Sequence, residues 1–536
     1  KQQRERSLMN YPLRLTLKTG IFASALALAA GGAFAETTVT AVMHSDLRVL
    51  DPVITTAHIT RDHGYMIYDV LLAEDENFVP QPQMAEVKAS DDGLTYTFTL
   101  RDGLKFHDGA PVTGEDVVAS LTRWGKRDTG GQSIMAVTEA LTAPDEKTVV
   151  WKLKTPFGPF LSTVAKQSGV PPFIMPKRVA ETPADEAIKE HVGSGPFKFV
   201  PEEFQPGVGV TYLKNEEYVP RSEPASGFAG GKVVNVDKVR WVTMSDSQTA
   251  VNALQSGDID LIESMPVDLI PLVEGDDTVV VEKRAAFGFQ TVGRMNFKHP
   301  PFDNPKIRRA ALMAMSQEPV LMALTASPEY YKICGAIFGC GTPFENQSGT
   351  ETLTDKGDPE GAKKLLAEAG YDGTPIVLMQ PTDGPTLKAQ PVVAAQMLRD
   401  AGFTVDMQPM DWQTLVTRRA SMEAPSKGGW SMFFTNWQVS EVASPVNNVM
   451  LNGRGDQAWF GWPEDPEMEN LKQEFIEATT PEEQKAATDK IQAHAIDEVS
   501  YIPLGEYNFP QARRAVLVDM PPTAVPVFWG VKKTEE

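Results

Sequence analysis

Residues 90–101 read Ser-Asp-Asp-Gly-Leu-Thr-Tyr-Thr-Phe-Thr-Leu-Arg, and residues 103–109 continue with Gly-Leu-Lys-Phe-His-Asp-Gly. Aromatic or apolar side chains alternate with threonine from Tyr96 to Leu100, as they do in an antiparallel strand that buries one face. Glycines stand on both sides of this strand, where tight turns favour them. The run therefore predicts an antiparallel strand between two turns.

Helix and strand signals alternate along the rest of the chain. Residues 247–256 carry apolar side chains at helical spacing, and Gly257 and a short apolar strand at 259–262 follow them. Further helices are predicted at residues 304–314, 360–369 and 391–401. This alternation predicts an α/β protein built from lobes with mixed sheets.

The composition is that of a large, acidic, globular protein. The chain has 536 residues, 42% of them hydrophobic, with 50 basic against 71 acidic side chains and a formal charge of -21. This length predicts at least two domains with cores of their own. Nucleic acid is not expected as a partner, because phosphate backbones require a basic surface.

The first 35 residues have the pattern of a secretory signal. Basic residues up to Lys18 precede an apolar stretch at 21–30, and Ala33-Phe-Ala35 supplies the small residues that signal peptidase requires. The apolar stretch is about half as long as a membrane span, which disfavours a membrane anchor as the alternative. We therefore expect cleavage after Ala35 and a periplasmic location.

The two cysteines, Cys334 and Cys340, are separated by Gly-Ala-Ile-Phe-Gly. This flexible segment lets the two sulfur atoms meet, and an oxidising compartment favours the bond. We expect a disulfide, with free thiols as the alternative. A metal site is not expected here, because no further cysteine or histidine stands nearby in the sequence.

Motifs of common enzymes are absent from the sequence. It contains no G-x-S-x-G nucleophile elbow, no G-x-x-x-x-G-K-[ST] phosphate loop and no H-E-x-x-H metal motif. The seven histidines are scattered, and the closest pair, His58 and His63, does not share a helical face. We therefore expect a protein without catalytic residues, cofactor or resident metal.

Several runs together resemble the periplasmic dipeptide-, oligopeptide- and nickel-binding proteins (family 5) of ABC transporters. The resemblance is densest where residues 90–109 are followed by Pro111-Val-Thr-Gly-Glu-Asp-Val117. It continues through residues 193–197, 213–218, 253–260, 296–311 and 362–371. These runs span most of the chain and weaken after Tyr371.

The resemblance implies a two-lobed receptor of the extended, peptide-binding class of the type II periplasmic binding protein fold, with a hinge between the lobes. Lobe I is expected at residues 36–290 and 503–536, with a subdomain inserted at about 80–200, and lobe II at 291–502. The lobes are expected to close around a peptide or peptide-like solute. The closed monomer is expected to deliver the solute to the transmembrane subunits of an ABC permease.

Peptide-binding members of the family hold the ligand's α-ammonium group with an Asp three residues after a Trp. Here Ser440 stands three residues after Trp437, and its neutral hydroxyl cannot replace a carboxylate. Glu441 is a candidate substitute, with an exposed loop carboxylate as the alternative. The family's dipeptide receptors also hold the ligand carboxylate with an Arg, but the matching segment at 378–388 offers only Lys388.

These departures leave the solute open. A peptide or peptide-like solute is the first expectation, and an opine-like conjugate or an oligosaccharide is the alternative within the same fold. A nickel or haem receptor comes third. An exported hydrolase or a chaperone is the alternative from another class.

Tryptophans crowd into a 51-residue part of the expected lobe II, namely Trp412, Trp430, Trp437, Trp459 and Trp462. They are candidates for stacking on a solute, with core packing as the alternative. The expected ligand-binding residues are Trp437, Gln438, Ser440, Glu441, Asn436, Trp459, Trp412, Phe289, Gln290, His44, Arg48 and Lys388. Arg418 and Arg419 are expected on a solvated helix face, or else against an anionic ligand.

Overall fold

The computed structural model describes residues 36–285, 287–384 and 386–535, and the predicted signal at residues 1–35 lies outside them. From Thr37 onward the described residues form one compact unit. No helix in this part of the chain is both long and apolar enough to cross a membrane.

The described residues form fifteen α-helices. They are α1 (His58–Ile67), α2 (Gly114–Trp124), α3 (Thr129–Val137), α4 (Phe160–Ala165), α5 (Lys177–Ala180), α6 (Ser247–Ser256), α7 (Pro305–Ala314), α8 (Gln317–Thr325), α9 (Glu351–Thr354), α10 (Pro359–Glu368), α11 (Gln390–Asp400), α12 (Trp412–Arg418), α13 (Val439–Val442), α14 (Pro466–Glu477) and α15 (Pro481–Glu498).

Strands alternate with these helices along the chain. In chain order they are β1 (Thr38–Val42), β2 (Asp69–Val70), β3 (Leu72–Glu74), β4 (Pro80–Pro82), β5 (Ala85–Ala89), β6 (Thr95–Leu100), β7 (Thr138–Thr142), β8 (Thr148–Leu153), β9 (Phe173–Ile174), β10 (Phe197–Phe199), β11 (Gly209–Lys214), β12 (Lys238–Val242), β13 (Leu261–Ile262), β14 (Val279–Lys283), β15 (Phe289–Met295), β16 (Tyr331–Lys332), β17 (Ile376–Pro381), β18 (Val405–Met410), β19 (Met432–Gln438), β20 (Ile502–Tyr507), β21 (Pro510–Arg514), β22 (Leu517–Val518) and β23 (Lys532–Lys533).

Two large mixed sheets organise the fold. The first has seven strands in the order β10-β11-β12-β1-β13-β21-β14, and the second has six in the order β16-β20-β15-β19-β17-β18. The chain passes from the first sheet to the second between β14 and β15, and it returns between β20 and β21. Each large sheet therefore combines strands that are far apart in the sequence.

The run at residues 90–101 forms β6, which pairs antiparallel with β5 and β8 in a separate four-stranded sheet. Its alternation is visible in the burial, because Tyr96, Phe98 and Leu100 are buried while the threonines between them are more exposed. The flanking Gly93 and Gly103 have φ angles of 66° and 81°, in the left-handed region that favours glycine. The predicted antiparallel strand is confirmed.

The predicted helices are also confirmed, with capping groups that the sequence supplies. The Asp246 side chain accepts a hydrogen bond from the Thr249 N–H at the start of α6, and Gly257 ends this helix with a φ of 82°. At the start of α7 the Asn304 side chain accepts from the Lys306 N–H. Local capping therefore sets the bounds of these helices.

The expected disulfide joins Cys334 and Cys340, whose Cα atoms lie 6.0 Å apart. Both residues are buried beside β20, where the Cys340 N–H donates a hydrogen bond to Glu506 at 2.7 Å. Burial raises the pKa of Glu506 to about 7. The disulfide loop is thus tied to a strand of the six-stranded sheet that lies next to the return passage.

Candidate functional site

Glu441 lies in α13, which directly follows β19 of the six-stranded sheet. Its carboxylate forms part of a capping box, because Oε2 accepts a hydrogen bond from the Gln438 N–H at 2.8 Å. The side chain is buried, with 3% of the residue exposed. Glu441 is therefore not the exposed loop carboxylate that the sequence left open, since it caps a helix in the interior.

Groups from the first 170 residues of the chain complete the partners of Glu441. Its Oε1 accepts hydrogen bonds from the Ser168 hydroxyl at 2.7 Å and the Gly169 N–H at 2.9 Å. The His58 Nε2 lies 3.1 Å from Oε2. Burial acts to raise the pKa of Glu441, but His58, Arg61 and Ser168 stabilise the carboxylate and bring its pKa to about 2. Glu441 is ionised at neutral pH, and both of its oxygens have partners within the chain.

Arg61 of α1 makes a second link to the end of β19. Its Nη1 donates to the Gln438 side-chain carbonyl at 2.9 Å, while its Nε and Nη2 donate to Asp62 at 3.0 and 2.7 Å. The Gln438 Nε2 donates in turn to the Ala524 carbonyl at 3.1 Å. Gln438 was expected to bind solute, but both ends of its buried amide are used within the chain. Little of its hydrogen-bonding capacity therefore remains for a ligand.

His44 stands beside this set of contacts, with its ring centre 6.3 Å from that of His58. Its Nδ1 lies 2.8 Å from Glu263 and 3.9 Å from Asp62. One atom from each of the three residues lies within 4.8 Å of the others, a spacing that can hold a metal ion. Arg284, at 3.0 Å from Glu263, and Arg61 already supply positive charge to the two carboxylates. The arrangement therefore fits a protonated His44. Partial desolvation acts to lower its pKa, but Glu263 and Asp62 lie beside the ring and raise the pKa above its ordinary value.

Trp437 and Ser440 carry buried polar atoms that have no partner. The Trp437 Nε1 and the Ser440 Oγ are enclosed, and the part of the chain that the structure describes offers neither of them a hydrogen bond. A buried polar group without a partner costs about 1–3 kcal/mol. These two positions, both predicted from the sequence, are therefore places where a bound molecule could supply the missing partner.

The other tryptophans divide into core and margin. Trp430 and Trp462 are buried in a cluster with Met379, Leu415 and Phe433, which fits the core-packing alternative. Trp412 and Trp459 are partly exposed at the margin of this cluster. The rings of Trp459 and Trp437 lie 5.4 Å apart. Trp459 thus connects Trp437 to the aromatic cluster.

Phe289 and Gln290 open β15. The Phe289 ring stacks on Tyr507 with centres 5.5 Å apart, and it lies 5.7 Å from the ring of His58. Gln290 is fully buried, donates from Nε2 to the Ala336 carbonyl at 2.8 Å and accepts from the Tyr501 hydroxyl at 3.2 Å. Gln290 is also among the residues expected to bind solute, and both ends of its amide are hydrogen-bonded within the chain.

Asn436 is held by the segment that precedes α11. Its Oδ1 accepts from the Gln390 Nε2 at 3.0 Å, and its Nδ2 donates to the Thr386 carbonyl at 3.0 Å. Arg48 is exposed and donates from Nε to Asp46 at 2.9 Å. Lys388 is exposed, without a hydrogen bond or ion pair to the described residues. The structure therefore does not bring Arg48 or Lys388 into the set of contacts around Glu441.

Sequence reasoning missed His58, Arg61 and Ser168. Ser168 is separated from Glu441 by 273 residues and His58 by 383, so no local pattern joins them. His58 was noted only as half of a possible metal pair with His63. The two histidines in fact point to different partners, because His63 Nδ1 lies 2.8 Å from the Tyr212 hydroxyl.

One family model matches residues 79–459 of the chain, and its description is "Bacterial extracellular solute-binding proteins, family 5 Middle". The chain belongs to this family of solute-binding proteins. Proteins of the family serve ABC transporters together with permease subunits, and the family is one of transport proteins and not of enzymes.

Two curated relatives match this solute-binding protein along most of their length. A probable peptide ABC transporter periplasmic-binding protein of Sinorhizobium fredii is 40% identical over 491 residues, which cover 91% of this chain and 92% of the relative. A glutathione-binding protein of Escherichia coli is 28% identical over 435 residues, which cover 78% of each chain.

Solved structures confirm the predicted fold class. A periplasmic binding protein of A. tumefaciens R10 in complex with agropinic acid has a TM-score of 0.78 and 22% identity, and the match covers 93% of this chain and 99% of that one. A periplasmic binding protein of Helicobacter pylori in complex with the peptide STSA has a TM-score of 0.76 and 22% identity, with the same coverage. The solute-binding protein therefore has the periplasmic binding protein fold.

Proposed function

We propose that this solute-binding protein captures a peptide or peptide-like solute in the periplasm and delivers it, as a monomer, to the transmembrane subunits of an ABC permease. The relative of 40% identity, itself described as a probable peptide-binding protein, supports the solute class. The signal-like pattern at residues 1–35 supports export, with cleavage after Ala35. Lobe I would comprise residues 36–290 and 503–536, and lobe II residues 291–502.

The observation that carries the mechanism is the set of hydrogen bonds around Glu441. This residue follows a strand of the six-stranded sheet, whereas Ser168, Gly169 and His58 all precede the first passage between the two large sheets. Hydrogen bonds to a charged group each contribute about 1.5–3 kcal/mol. We infer that these bonds form when the lobes close, so that Glu441 stabilises the closed form directly.

Solute would be bound beside this closure contact. Trp437 and Ser440 flank Gln438 in the chain and carry the unpartnered Nε1 and hydroxyl groups. We propose that they bind the solute, with Trp459 and Trp412 as aromatic surfaces and with His44 at the edge. Ser440 replaces the family's Asp and Glu441 is already paired, so neither of these two residues offers a free carboxylate to an α-ammonium group. This favours a solute that the protein binds mainly through the solute's neutral and anionic groups.

An opine-like conjugate or an oligosaccharide is the second candidate, favoured by the same replacement at Ser440. Mass spectrometry of the small molecules released on denaturing protein purified from the periplasm would distinguish the candidates. A set of peptides would support the proposal, whereas one defined sugar or amino acid conjugate would replace the solute class. For protein purified empty, thermal-shift screening with tripeptide mixtures, opines and oligosaccharides would follow. Stabilisation by none of them would contradict the proposal.

A further inference from the structure

Arg419 follows α12 and lies against four aromatic rings. Its Cζ atom is 4.8 Å from the ring centre of Phe460, 5.7 Å from those of Trp412 and Trp459, and 6.0 Å from that of Phe433. Distances of this size are typical of cation–π contacts. The expectation of a solvated helix face is therefore wrong for Arg419, because the chain packs its guanidinium among aromatic side chains.

The guanidinium of Arg419 has no hydrogen-bond acceptor and no carboxylate partner in the part of the chain that the structure describes. Its Nε is fully enclosed, and burial lowers the pKa of Arg419 to about 10. The neighbouring Arg418, in contrast, is hydrogen-bonded within the chain through every nitrogen of its guanidinium. Its Nε and Nη2 donate to the carbonyls of Gly428 and Gly429 at 2.9 and 2.7 Å, and its Nη1 donates to Gln408 at 2.7 Å. Arg418 holds a turn together, and Arg419 does not.

The fully buried guanidinium of Arg294 borders the same aromatic cluster. The Arg294 Cζ lies 5.5 Å from the ring centre of Trp459, and its nitrogens donate to the carbonyls of Phe460 and Ser500, each at 2.6 Å. Among the described residues neither Arg294 nor Arg419 forms an ion pair. The cluster thus holds two positive charges without a matching carboxylate, and an added anion would be stabilised there.

The aromatic cluster is continuous with the expected solute site. Trp459 lies near both Arg419 and Trp437, because its ring centre is 5.7 Å from the Arg419 Cζ and 5.4 Å from the Trp437 ring centre. The Trp437 Nε1 and the Arg419 Nε are both buried hydrogen-bond donors without an acceptor. These two donors lie near the same aromatic ring, that of Trp459. They fit a ligand that supplies hydrogen-bond acceptors together with an apolar surface.

We propose that Arg419 binds an oxyanion of the captured solute, a carboxylate or a phosphate, and thereby makes the receptor selective for solutes with an anionic group. This inference rests on the proposed function, because it deepens the assignment of the same site. It also accounts for the segment at 378–388, where the family's Arg for the ligand carboxylate is replaced by the exposed Lys388. Arg419, directly after α12, would supply the positive charge instead.

The chemistry fits an arginine better than a lysine. The guanidinium is planar and presents paired N–H groups that match two oxygens of one carboxylate or phosphate. The aromatic rings restrict its position before the solute arrives, so less conformational freedom is lost on binding. We expect Arg419→Gln to abolish this contact and Arg419→Lys to retain the charge without the paired donors.

The test compares three variants with the wild-type chain. They are Arg419→Gln, Arg419→Lys and the control Arg399→Gln, which removes the same charge from α11, where the exposed Arg399 donates to the Val405 carbonyl. The probes are a random tripeptide mixture with free carboxyl ends, the same mixture amidated, and inorganic phosphate. Affinity is measured by calorimetry, and the unfolding temperature of each solute-free variant reports structural damage.

We expect the wild type and Arg399→Gln to bind the free acids about 10- to 100-fold more tightly than the amides, a ratio typical of a charge-assisted pair. Arg419→Gln should lose this preference, and Arg419→Lys should keep only part of it. Equal binding of acids and amides by the wild type, or an undiminished preference in Arg419→Gln, would overturn the proposal. Competition by phosphate in the wild type but not in Arg419→Gln would identify phosphate as an accepted group.

A second readout separates this inference from the proposed function. If neither peptide mixture binds, the peptide assignment fails, and Arg419 is then tested with acetate and phosphate alone. Tryptophan emission is followed against sodium chloride at equal ionic strength, because Trp412 and Trp459 contact the guanidinium. A saturating change in the wild type that is absent from Arg419→Gln supports the oxyanion site. Identical curves for both proteins would refute it.

Discussion

The Ser168 hydroxyl donates a hydrogen bond to Glu441 Oε1 at 2.7 Å, across 273 residues of sequence. Ser168 precedes the first passage between the two large sheets, and Glu441 follows a strand of the six-stranded sheet. Since both residues are buried, their contact exists only while these two parts of the chain are together. Glu441, one residue after the position of the family's ligand-binding Asp, thus forms a contact within the protein.

Glu441→Gln tests this contact without changing the size of the side chain. The amide of glutamine keeps one acceptor oxygen, but its NH₂ group replaces the oxygen that accepts from the Gln438 N–H. The variant also loses the negative charge that interacts with His58 and Arg61. We expect weaker solute binding by roughly 10- to 100-fold, which corresponds to the loss of one hydrogen bond to a charged group. Calorimetry with the solute identified by mass spectrometry measures the change.

Glu483→Gln provides the matched control for Glu441→Gln. Glu483 occupies the same capping-box position in α15, where it is exposed and its carboxylate accepts from the Thr480 N–H. This variant should bind solute as the wild type does. If both variants lose the same affinity, the effect comes from general helix destabilisation, and the closure role of Glu441 is wrong.

Trp437→Phe tests whether the unpartnered indole Nε1 donates a hydrogen bond to the bound solute. We expect the solute-free variant to unfold at the same temperature as the wild type or slightly higher, because it no longer buries a donor without an acceptor. Solute affinity should fall about 10-fold for one lost hydrogen bond.

Trp151→Phe is the control, and it should lower the unfolding temperature while solute affinity stays as in the wild type. The Trp151 Nε1 donates to the Thr138 hydroxyl at 2.8 Å, in the four-stranded sheet. Unchanged affinity in Trp437→Phe would remove this residue from the site.

Glu74 gives the protein a pH-dependent stability. Burial raises the pKa of Glu74 to about 8 from an ordinary 4.5, against the hydrogen bond from Gln167 that favours the ionised form. The folded state therefore keeps a proton that the unfolded state releases, and the stabilisation present below pH 4.5 is lost as the pH rises towards 8. Glu74→Gln should flatten the decline of the free energy of unfolding between pH 5 and 8, as measured by urea denaturation across that range.

The control for Glu74→Gln is Glu76→Gln, two residues further along the chain and exposed. It should leave the pH dependence of unfolding as it is in the wild type. A Glu74→Gln variant with the wild-type slope would show that Glu74 is ionised in the folded protein, against the expectation from its burial.

The disulfide should contribute modestly to stability. A cross-link that closes so short a loop restricts the unfolded chain by about 2 kcal/mol. The double variant Cys334→Ser, Cys340→Ser should lose about this much in urea denaturation. A reducing agent should destabilise the wild type equally and leave the double variant unaffected. Equal sensitivity of the two proteins to the reducing agent would contradict the assignment.

Local signals predicted much of the fold. Some elements depend only on residues that are close together in the sequence, so the sequence alone was enough to predict them. Examples are the alternation at Tyr96–Leu100 and the capping residues Asp246, Asn304 and Gly257. The resemblance to a family added the fold class, because a run such as residues 90–117 is specific enough to identify it.

The site was predicted only in part. Trp437 and Ser440, whose unpartnered polar atoms the structure shows, became candidates because a family pattern marks their segment. The hydrogen bonds that the buried amides of Gln438 and Gln290 form within the chain were not predicted, since sequence does not reveal which partners a tertiary fold will supply. Arg419 was expected on a solvated helix face, with contact to an anionic ligand as the alternative. The segment that follows α12 instead turns back, so that Trp430 donates to the Arg419 carbonyl at 3.1 Å.

Small-angle X-ray scattering of the wild type and Glu441→Gln, with and without the solute identified by mass spectrometry, tests closure most directly. The account predicts that solute lowers the radius of gyration of the wild type, and that at equal saturation the Glu441→Gln variant contracts less. Saturated wild-type protein with the same radius of gyration as the solute-free protein would contradict capture by closure, and with it the role assigned to Glu441.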